Sequence, residues 1–432
     1  MVLKMRKMKD SGIEWIGEIP EGWETINPKA LFAQRKDRAS KGERQLTSSQ
    51  QYGILYQDEY MELTGSKVVT VEKDFDILKH VEAGDFVISM RSFQGGLEYS
   101  TKTGAISSAY VMLVPNLELV YPRFYRWLLK SSVYIDALQR TTNMVRDGQA
   151  MRYYNFAQVR LFTLPLDEQK SRAGFLDVKC SGIDKMLSKN RSSIEEYKKL
   201  KQAVITQAVT KGVRGEREMK DSGVDWIGEI PKEWVIQKIK SISSRINVGV
   251  VIRPSEYFDE NGTVPFLRGI NVKEYLISSD NMVYINESSN RILSKSQVHT
   301  DDILIVRDGS IGTSCVVPAE FDGANVVSMV IATPLISCDS RFICYSLNSD
   351  VGKTQFTLTK IGSALTHTSV SAVSDIIVAV PSCAEQKEIV DHLDAKCAEI
   401  DRLIAKKEQL VKELESYKKS LIYEVVTGKR EV

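Results

Sequence analysis

The sequence reads Met8-Lys9-Asp10-Ser11-Gly12-Ile13-Glu14-Trp15-Ile16-Gly17-Glu18-Ile19-Pro20-Glu21-Gly22-Trp23 near its start, and Met219-Lys220-Asp221-Ser222-Gly223-Val224-Asp225-Trp226-Ile227-Gly228-Glu229-Ile230-Pro231-Lys232-Glu233-Trp234 near its middle. Twelve of the sixteen positions are identical, and four of the five Trp residues lie in these two copies. Such a repeat predicts two duplicated halves. Each copy ends in a Pro-containing turn that excludes regular helix, so we expect a buried aromatic clamp there rather than a ligand site.

We call the two copies, residues 8–23 and 219–234, the Trp blocks. A second repeated element follows each Trp block further along the chain. Glu168-Gln169-Lys170 returns as Glu385-Gln386-Lys387, and the segments after these triplets align without a gap. About 140 residues with little visible similarity separate block from triplet in each half. The sequence therefore predicts a block, a variable region and a helix, and then the same three parts again: segments 1–163, 164–215, 216–380 and 381–432.

The segments 168–210 and 385–427 are predicted to be long amphipathic helices. Apolar residues recur in both at steps of three and four, charged residues fill the other positions, and neither contains Pro. At 1.5 Å per residue each helix would be roughly 60 Å long. Two such stripes most simply bury each other in an antiparallel coiled coil, and the alternative is packing on separate globular domains. Gly212 and Gly428 mark the expected helix ends.

Both variable regions mix strand and helix patterns, which predicts an α+β fold. Short β-branched or aromatic runs predict strands, and amphipathic periodicity predicts helices. In the first region we expect strands at 66–71, 85–90 and 110–114 and a helix pair over 122–138. In the second we expect strands at 302–306, 316–317 and 326–331 and a helix near 340–351. The two regions are predicted to share one fold.

Composition excludes several classes of protein. The 432 residues are 43% hydrophobic and 26% charged with a net charge of +2, which is ordinary for a globular protein. The six Cys show no C-x-x-C spacing and do not follow the duplication, so we expect free thiols and a reducing, cytoplasmic location. The four His show no metal-ligand spacing. No signal peptide or membrane-spanning apolar stretch is expected.

Catalytic motifs are not found. Asp375 with Glu385-x-Lys387 superficially resembles the carboxylate set of some magnesium-dependent nucleases, but the first copy has Gln158 in place of the Asp. Both triplets open a long helix, where an acid favourably meets the helix dipole. The sequence contains no phosphate-binding loop, dinucleotide fingerprint, nucleophile elbow or kinase signature. We therefore expect a protein that is not an enzyme and holds no metal.

Polar loops of the variable regions offer candidate DNA contacts. Arg, Asn and Gln can make paired hydrogen bonds to base edges, although most surface arginines do not. The candidates of the first region are Arg35, Lys36, Arg38, Arg91, Gln94, Arg146, Gln149 and Arg152. Those of the second are Arg245, Asn247, Arg253, Arg268, Asn271, Arg307, Lys360 and His367.

Together the Trp block, the segment 90–99, the Gly309-Ser310-Ile311-Gly312 turn and the Glu-Gln helix entry resemble the specificity subunit of type I restriction–modification systems. The resemblance covers essentially the whole chain, with the motifs in the expected order. Each helix entry has fewer prolines than is usual in this family, which leaves the helix start open.

The resemblance implies a non-catalytic subunit that binds double-stranded DNA. Its two target-recognition domains would each read half of an asymmetric, interrupted site, and the helices would set the spacer and dock two methyltransferase subunits. S-adenosylmethionine would be bound by those subunits, and ATP and Mg by restriction subunits. We expect the helices to bind their partner through Ile183, Leu187, Ile194, Ile400, Ile404 and Leu414. The main alternative is a two-headed protein-binding scaffold, which would show no salt-dependent DNA affinity.

Overall fold

The computed structural model describes residues 6–71, 75–89, 92–141, 152–360 and 367–432. The chain forms two compact units: unit 1 comprises Met1–Arg191 and Gln409–Val432, and unit 2 comprises Ser192–Glu408. The division into four segments follows the repeat rather than compactness and stays a prediction.

Unit 1 consists of short strands, short helices and parts of two long helices. Its strands are β1 (Met8–Asp10), β2 (Glu18–Pro20), β3 (Glu24–Ile26), β4 (Phe32–Arg35), β5 (Leu46–Ser49), β6 (Gly53–Tyr56), β7 (Lys79–Val81), β8 (Phe86–Ile88), β9 (Glu98–Tyr99), β10 (Gly104–Ile106), β11 (Val111–Pro115) and β12 (Leu161–Thr163). Its helices are α1 (Pro28–Leu31), α2 (Gln57–Thr64), α3 (Ser92–Gly95), α4 (Pro122–Leu128), α5 (Ser132–Arg140), α6 (Tyr153–Gln158) and the start of α7 (Leu166–Lys211).

Unit 2 has a similar composition. Its strands are β13 (Met219–Asp221), β14 (Glu229–Pro231), β15 (Val235–Lys238), β16 (Ser243–Val248), β17 (Val264–Leu267), β18 (Val272–Lys273), β19 (Leu276–Ile277), β20 (Val283–Ile285), β21 (Ile303–Val306), β22 (Ser314–Val316), β23 (Asn325–Val326), β24 (Met329–Pro334) and β25 (Ile377–Val380). Its helices are α8 (Glu287–Ile292), α9 (Ser340–Asn348), α10 (Asp350–Lys360), α11 (Val370–Ser374) and the start of α12 (Cys383–Val426).

Each unit contains a four-stranded antiparallel sheet, and the two sheets have the same strand order. The order is β4-β11-β8-β9 in unit 1 and β16-β24-β21-β22 in unit 2. Strands β8 and β21 are buried along their whole length, since alternate side chains enter different cores on the two faces of the sheet. This burial explains why both strands are continuous apolar runs. The common strand order confirms that the two variable regions contain sheets of the same topology.

The long helices run antiparallel in each unit, as predicted. In unit 1, Lys418 on α12 pairs with Asp184 on α7 at 2.6 Å. In unit 2, Lys201 on α7 pairs with Asp401 on α12 at 2.6 Å. The apolar stripes are buried beside these pairs within each unit. Gly212 and Gly428 follow the two helices with φ of 77°, a left-handed conformation that glycine adopts without strain.

Three expectations from the sequence are wrong. Residues 66–71 form no strand; instead, the side chain of Gln45 bonds both backbone groups of Val71, donating at 2.7 Å and accepting at 2.9 Å. The expected strand 326–331 is two strands, β23 and β24, because Ser328 adopts a φ of 48° between them. One pair of cysteines follows the duplication, since Cys180 and Cys397 lie at equivalent points of α7 and α12, both buried and free.

The helix pair over 122–138 is confirmed as α4 and α5. The helix expected near 340–351 is α9, which ends at Asn348 before α10 begins at Asp350. The strand expected at 85–90 is β8, which ends at Ile88. Met90, the last residue of the expected strand, lies outside the described residues. Trp23 and Trp234 are fully buried, which confirms the aromatic clamp.

Candidate nucleic-acid interface and helix surface

In unit 2 the carboxyl end of β21 brings three loops to one edge of the four-stranded sheet. Arg307 directly follows the strand. Ser328, which precedes β24, donates from Oγ to Asp308 Oδ2 at 3.1 Å, and its N–H donates to Val250 O at 3.1 Å. These bonds join the loop after β21 to the loop before β24 and to the loop after β16. We call this group of loops the unit 2 edge.

Three arginines from three loops lie at the unit 2 edge. Arg307 is half-buried, and its Nε donates to Thr368 O at 2.9 Å, which orients the guanidinium. Arg268 is half-buried and follows β17, whose Leu267 O accepts from Val327 N–H at 2.8 Å, and its Nη2 donates to Asn281 O. Arg253 is exposed, and its pairing with Glu256 at 3.2 Å is a surface contact of little energetic value.

His367 lies at the same edge, because it forms an antiparallel bridge with Asp308. Lys360 is the last residue of α10, and its side chain lies outside the described residues.

Three other candidates of unit 2 have internal partners. Arg245 Nη2 donates to the buried Asp302 at 2.6 Å. Asn271 is fully buried, and its amide nitrogen donates to two backbone oxygens at 2.9 and 3.1 Å. Asn247 Nδ2 donates to Lys295 O at 3.0 Å. These bonds stabilise the unit and occupy the three side chains.

Unit 1 has a corresponding edge at the carboxyl end of β8. Lys36 is exposed directly after β4. Nearby, Lys79 Nζ donates to Tyr110 O at 2.6 Å, and Arg38 Nη1 donates to Ile77 O at 2.9 Å. Burial, and to a smaller extent the charge of Arg38, lower the pKa of Lys79. The sequence alone gave no reason to single out Lys79.

The remaining candidates of unit 1 differ in placement. Arg35 Nε donates to Asp85 at 2.7 Å, in the same way that Arg245 pairs with Asp302, so it also stabilises the sheet. Gln94 on α3 and Arg152 before α6 are exposed. Arg91, Arg146 and Gln149 lie outside the described residues.

The Glu-Gln pair at each helix entry has a structural role that sequence reasoning missed. Trp23 Nε1 donates to Glu168 at 3.1 Å, and Trp234 Nε1 donates to Glu385 at 3.1 Å. A basic residue before each Trp block also bonds the same acid, Arg6 with Glu168 and Arg217 with Glu385. Each acid thus ties the Trp block of its unit to the start of a long helix.

The neighbouring glutamines fasten a loop to each helix. Gln169 accepts from Tyr121 N–H at 2.7 Å and donates to Leu119 O at 2.8 Å. Gln386 accepts from Asp339 N–H at 2.7 Å in unit 2. Both amides are almost fully buried. The repeat of the sequence motif is therefore a repeat of one internal hydrogen-bond network, not of a catalytic site.

The predicted partner-binding residues are mostly inside the units. Four of them are buried, and Ile404 and Leu414 are half-buried; the buried ones are Ile183, Leu187, Ile194 and Ile400. The antiparallel helix covers the four buried side chains and leaves them little accessible surface for docking. Other apolar side chains on the helices do face solvent: Val178, Met186, Leu200, Leu410 and Tyr417.

Within the described part of the chain, no group of three or more His, Cys, Asp or Glu could hold a metal ion. No helix there is long and apolar enough to cross a membrane.

Comparison with known proteins finds similarity to one family. Residues 231–414 match the family model of the type I restriction modification DNA specificity domain. A type I restriction enzyme MjaVIII specificity subunit from Methanocaldococcus jannaschii is 24% identical over 81% of this chain and 80% of its own length. The second half of the chain is thus similar to this specificity domain, and most of the chain is similar to type I specificity subunits. The putative MjaX specificity subunit of the same organism is 23% identical over 96% of this chain and 95% of its own length.

Solved structures agree on the fold. A chain from a study of complex assembly and conformational transition of a type I R-M system matches with a TM-score of 0.71 at 13% identity, covering 95% of this chain and 99% of that chain. The HsdS subunit from Thermoanaerobacter tengcongensis matches with a TM-score of 0.52 at 14% identity, covering 95% and 98%. The family model covers the second half alone, and the repeated Trp block and sheet order extend the same architecture to unit 1.

Proposed function

We propose that this chain is a specificity subunit that binds double-stranded DNA and that each unit reads one half of a bipartite, asymmetric site. One observation carries the proposal: each unit has a four-stranded sheet of the same topology, and in both units basic residues lie at the equivalent edge of that sheet. Lys36, Arg38 and Lys79 lie there in unit 1, and Arg268 and Arg307 in unit 2. The loops at these edges differ in sequence, as two different half-sites require.

Arg307 is the residue on which the proposal is best tested. Its Nε bond to Thr368 O fixes the plane of the guanidinium, and such a fixed fork suits the paired acceptors of guanine. We expect Arg307→Ala to weaken binding to the cognate duplex by about 1–3 kcal/mol and to leave binding to a scrambled duplex much less affected. Arg307→Lys should lose nearly as much, because a lysine keeps the charge but not the paired geometry.

Affinities would be measured by titration of labelled duplexes at two salt concentrations, using the subunit co-purified with its methyltransferase. Arg341→Ala is the matched control, because Arg341 is a half-exposed arginine of unit 2 whose partner is Asp394 on α12. Equal losses on cognate and scrambled duplexes would identify Arg307 as a phosphate contact. A wild-type complex without sequence preference or salt dependence would instead favour a protein-binding scaffold.

The helices supply the second part of the proposed function. We infer that they set the unspecified spacer between the half-sites and dock two methyltransferase subunits, which bring S-adenosylmethionine. Restriction subunits, with ATP and Mg, would complete the cytoplasmic complex. The exposed apolar side chains support docking, because Met186 on α7 and Tyr417 on α12, each 50% exposed, both lie in unit 1 and could contact a partner there. In unit 1, Leu410 and Tyr417 are seven residues apart and so share one face of α12.

A further inference from the structure

The loop after β16 in unit 2 presents two adjacent β-branched side chains to solvent. Val251 is 52% exposed and Ile252 is 76% exposed. Single exposed apolar residues are common and need no explanation, but an exposed pair on a fastened loop is a more specific feature.

Three backbone hydrogen bonds fasten this loop to the sheet. Gly249 N–H donates to Met329 O at 2.8 Å, Val250 N–H donates to Val326 O at 2.8 Å, and Val250 O accepts from Ser328 N–H at 3.1 Å. A Cβ at residue 249 would lie 2.4 Å from Val326 O, so only glycine permits so close an approach. Val251 and Ile252 therefore project from a loop whose base is held in place.

The loop belongs to the unit 2 edge. Ser328, which bonds Val250, also bonds Asp308 at 3.1 Å, and Asp308 follows Arg307. Arg253 comes directly after Ile252 and adopts a φ of 44°, which turns the chain sharply at that point. The apolar pair is thus placed among the basic residues that we assign to the DNA, instead of on a purely apolar surface where a protein partner would be expected.

We propose that Val251 and Ile252 contact thymine methyl groups in the major groove and so help to determine the sequence that unit 2 reads. The inference rests on the proposed DNA-binding function and deepens it. The C5 methyl of thymine is the apolar feature that the major groove offers, and apolar side chains are the groups that recognise it. Short β-branched side chains on a fastened loop suit contact with a base edge.

Replacing thymine by uracil tests this directly, because uracil lacks the C5 methyl and keeps every hydrogen-bonding group. The recognised DNA site would first be identified by methylation mapping. Each thymine of that site would then be replaced in turn, and the affinity of the subunit–methyltransferase complex for each duplex would be measured by titration. In the wild type we expect about three- to tenfold weaker binding at one or two positions, all within one half-site. The V251A/I252A variant should bind the thymine duplex as weakly as the wild type binds those uracil duplexes, with no further loss on replacement.

L335A/I336A is the matched control, because Leu335 and Ile336 are another exposed apolar pair of unit 2, after the opposite end of β24. It should behave as the wild type. A wild type that binds its site specifically but is indifferent to uracil would overturn this inference and leave the proposed function standing. So would a V251A/I252A variant that is weakened but still loses affinity at the same uracil positions. A wild type that does not distinguish its site from a scrambled duplex would overturn the proposed function, and this inference with it.

Discussion

Glu168 shows how one repeated acid can join separate parts of a unit. It accepts hydrogen bonds from Trp23 of the Trp block, from Arg172 one helical turn later, and from Arg6. Arg172 is itself buried and donates onward to Val425 O at 2.8 Å, on α12. Removing the carboxylate would leave buried donors without an acceptor, which costs more than the loss of a surface ion pair.

The ionisation of Glu168 gives a prediction on stability against pH. Burial by itself would raise the pKa of Glu168, but hydrogen bonds from Arg6, Arg172 and Trp23 outweigh it and lower the pKa to about 2. A depressed folded-state pKa stabilises the fold above the unfolded-state value, and this contribution disappears as the pH falls from about 4.3 to about 2. We expect Glu168→Gln to lower the free energy of unfolding by about 2 kcal/mol at pH 7.

Urea unfolding followed by tryptophan fluorescence at pH 7, 4.5 and 3 would measure the difference, which should shrink at the lowest pH. Asp167→Asn is the control, because Asp167 neighbours Glu168 on the same turn but is exposed and pairs with Lys170 at 3.3 Å. Its effect should be near zero at every pH. A Glu168→Gln deficit that stays constant with pH would mean that the carboxylate charge is not the stabilising feature.

Residue type alone could not separate the arginines that we propose to face DNA from structural ones. Arg35 and Arg245 resemble Arg253 in the sequence, but their partners Asp85 and Asp302 lie 50 and 57 residues further along the chain. A single sequence does not show such distant pairs. Three of the residues that the sequence singled out, Arg268, Arg307 and His367, do reach one edge, and their contact with DNA stays a prediction.

At the scale of elements, predictability followed the range of the interactions. The long helices were predictable because their periodicity is local and sustained over more than 40 residues. The strands were less so, because pairing depends on distant partners. Residues 66–71 have strand-like side chains, but glutamine amides satisfy part of their backbone instead of a neighbouring strand.

The buried stripe and the exposed apolar residues of α7 predict different consequences of mutation. Met186 precedes the buried Leu187 and Ser188 follows it, so at about 100° per residue the two exposed side chains lie on opposite flanks of the helix. We expect Met186→Glu to leave unit 1 folded but to weaken methyltransferase binding at least tenfold, because it places a charge in an apolar contact. Co-purification and titration calorimetry would measure this.

Ser188→Glu is the matched control, because it adds the same charge to the same turn on the other flank, and it should bind as the wild type does. Ile183→Ala provides the contrasting case: a buried side chain whose truncation should cost about 2–4 kcal/mol of stability. Wild-type binding by Met186→Glu, with Ser188→Glu impaired instead, would assign docking to the groove of about 560 Å³ lined by Arg126, Asp177 and Ser188.

At the scale of the whole molecule, each unit contains part of the long helix of both repeats. Unit 1 takes the first part of α7 and the last part of α12, and unit 2 takes the remainder of each. The pairs Asp184–Lys418 and Lys201–Asp401 are equivalent under the duplication, since each joins the same two positions of the repeated helix. Neither repeat therefore completes a unit by itself, and a change in the length of one helix must be matched in the other.

The proposed role of the helices as the spacer can be tested by lengthening both of them together. Inserting four residues after Ser188 in α7 and four after Glu408 in α12 leaves every cited pair inside its own unit. Each insertion adds about one turn and roughly 6 Å, and four residues overshoot a 3.6-residue turn by only about 40°, so the apolar stripes stay nearly continuous. At about 3.4 Å per base pair, the unspecified gap between the half-sites should grow by at most two pairs.

Methylation mapping of cells that carry the double insertion would read the gap directly. Both half-sites should keep their sequences, because no residue of either sheet edge is changed. An insertion in α7 alone is the informative control, since α12 keeps its old length and the two helices can no longer pair in register in both units; we expect little or no methylation from it. An active double insertion with an unchanged gap would mean that the helices do not set the spacer, and an active single insertion would mean that their paired length is not required.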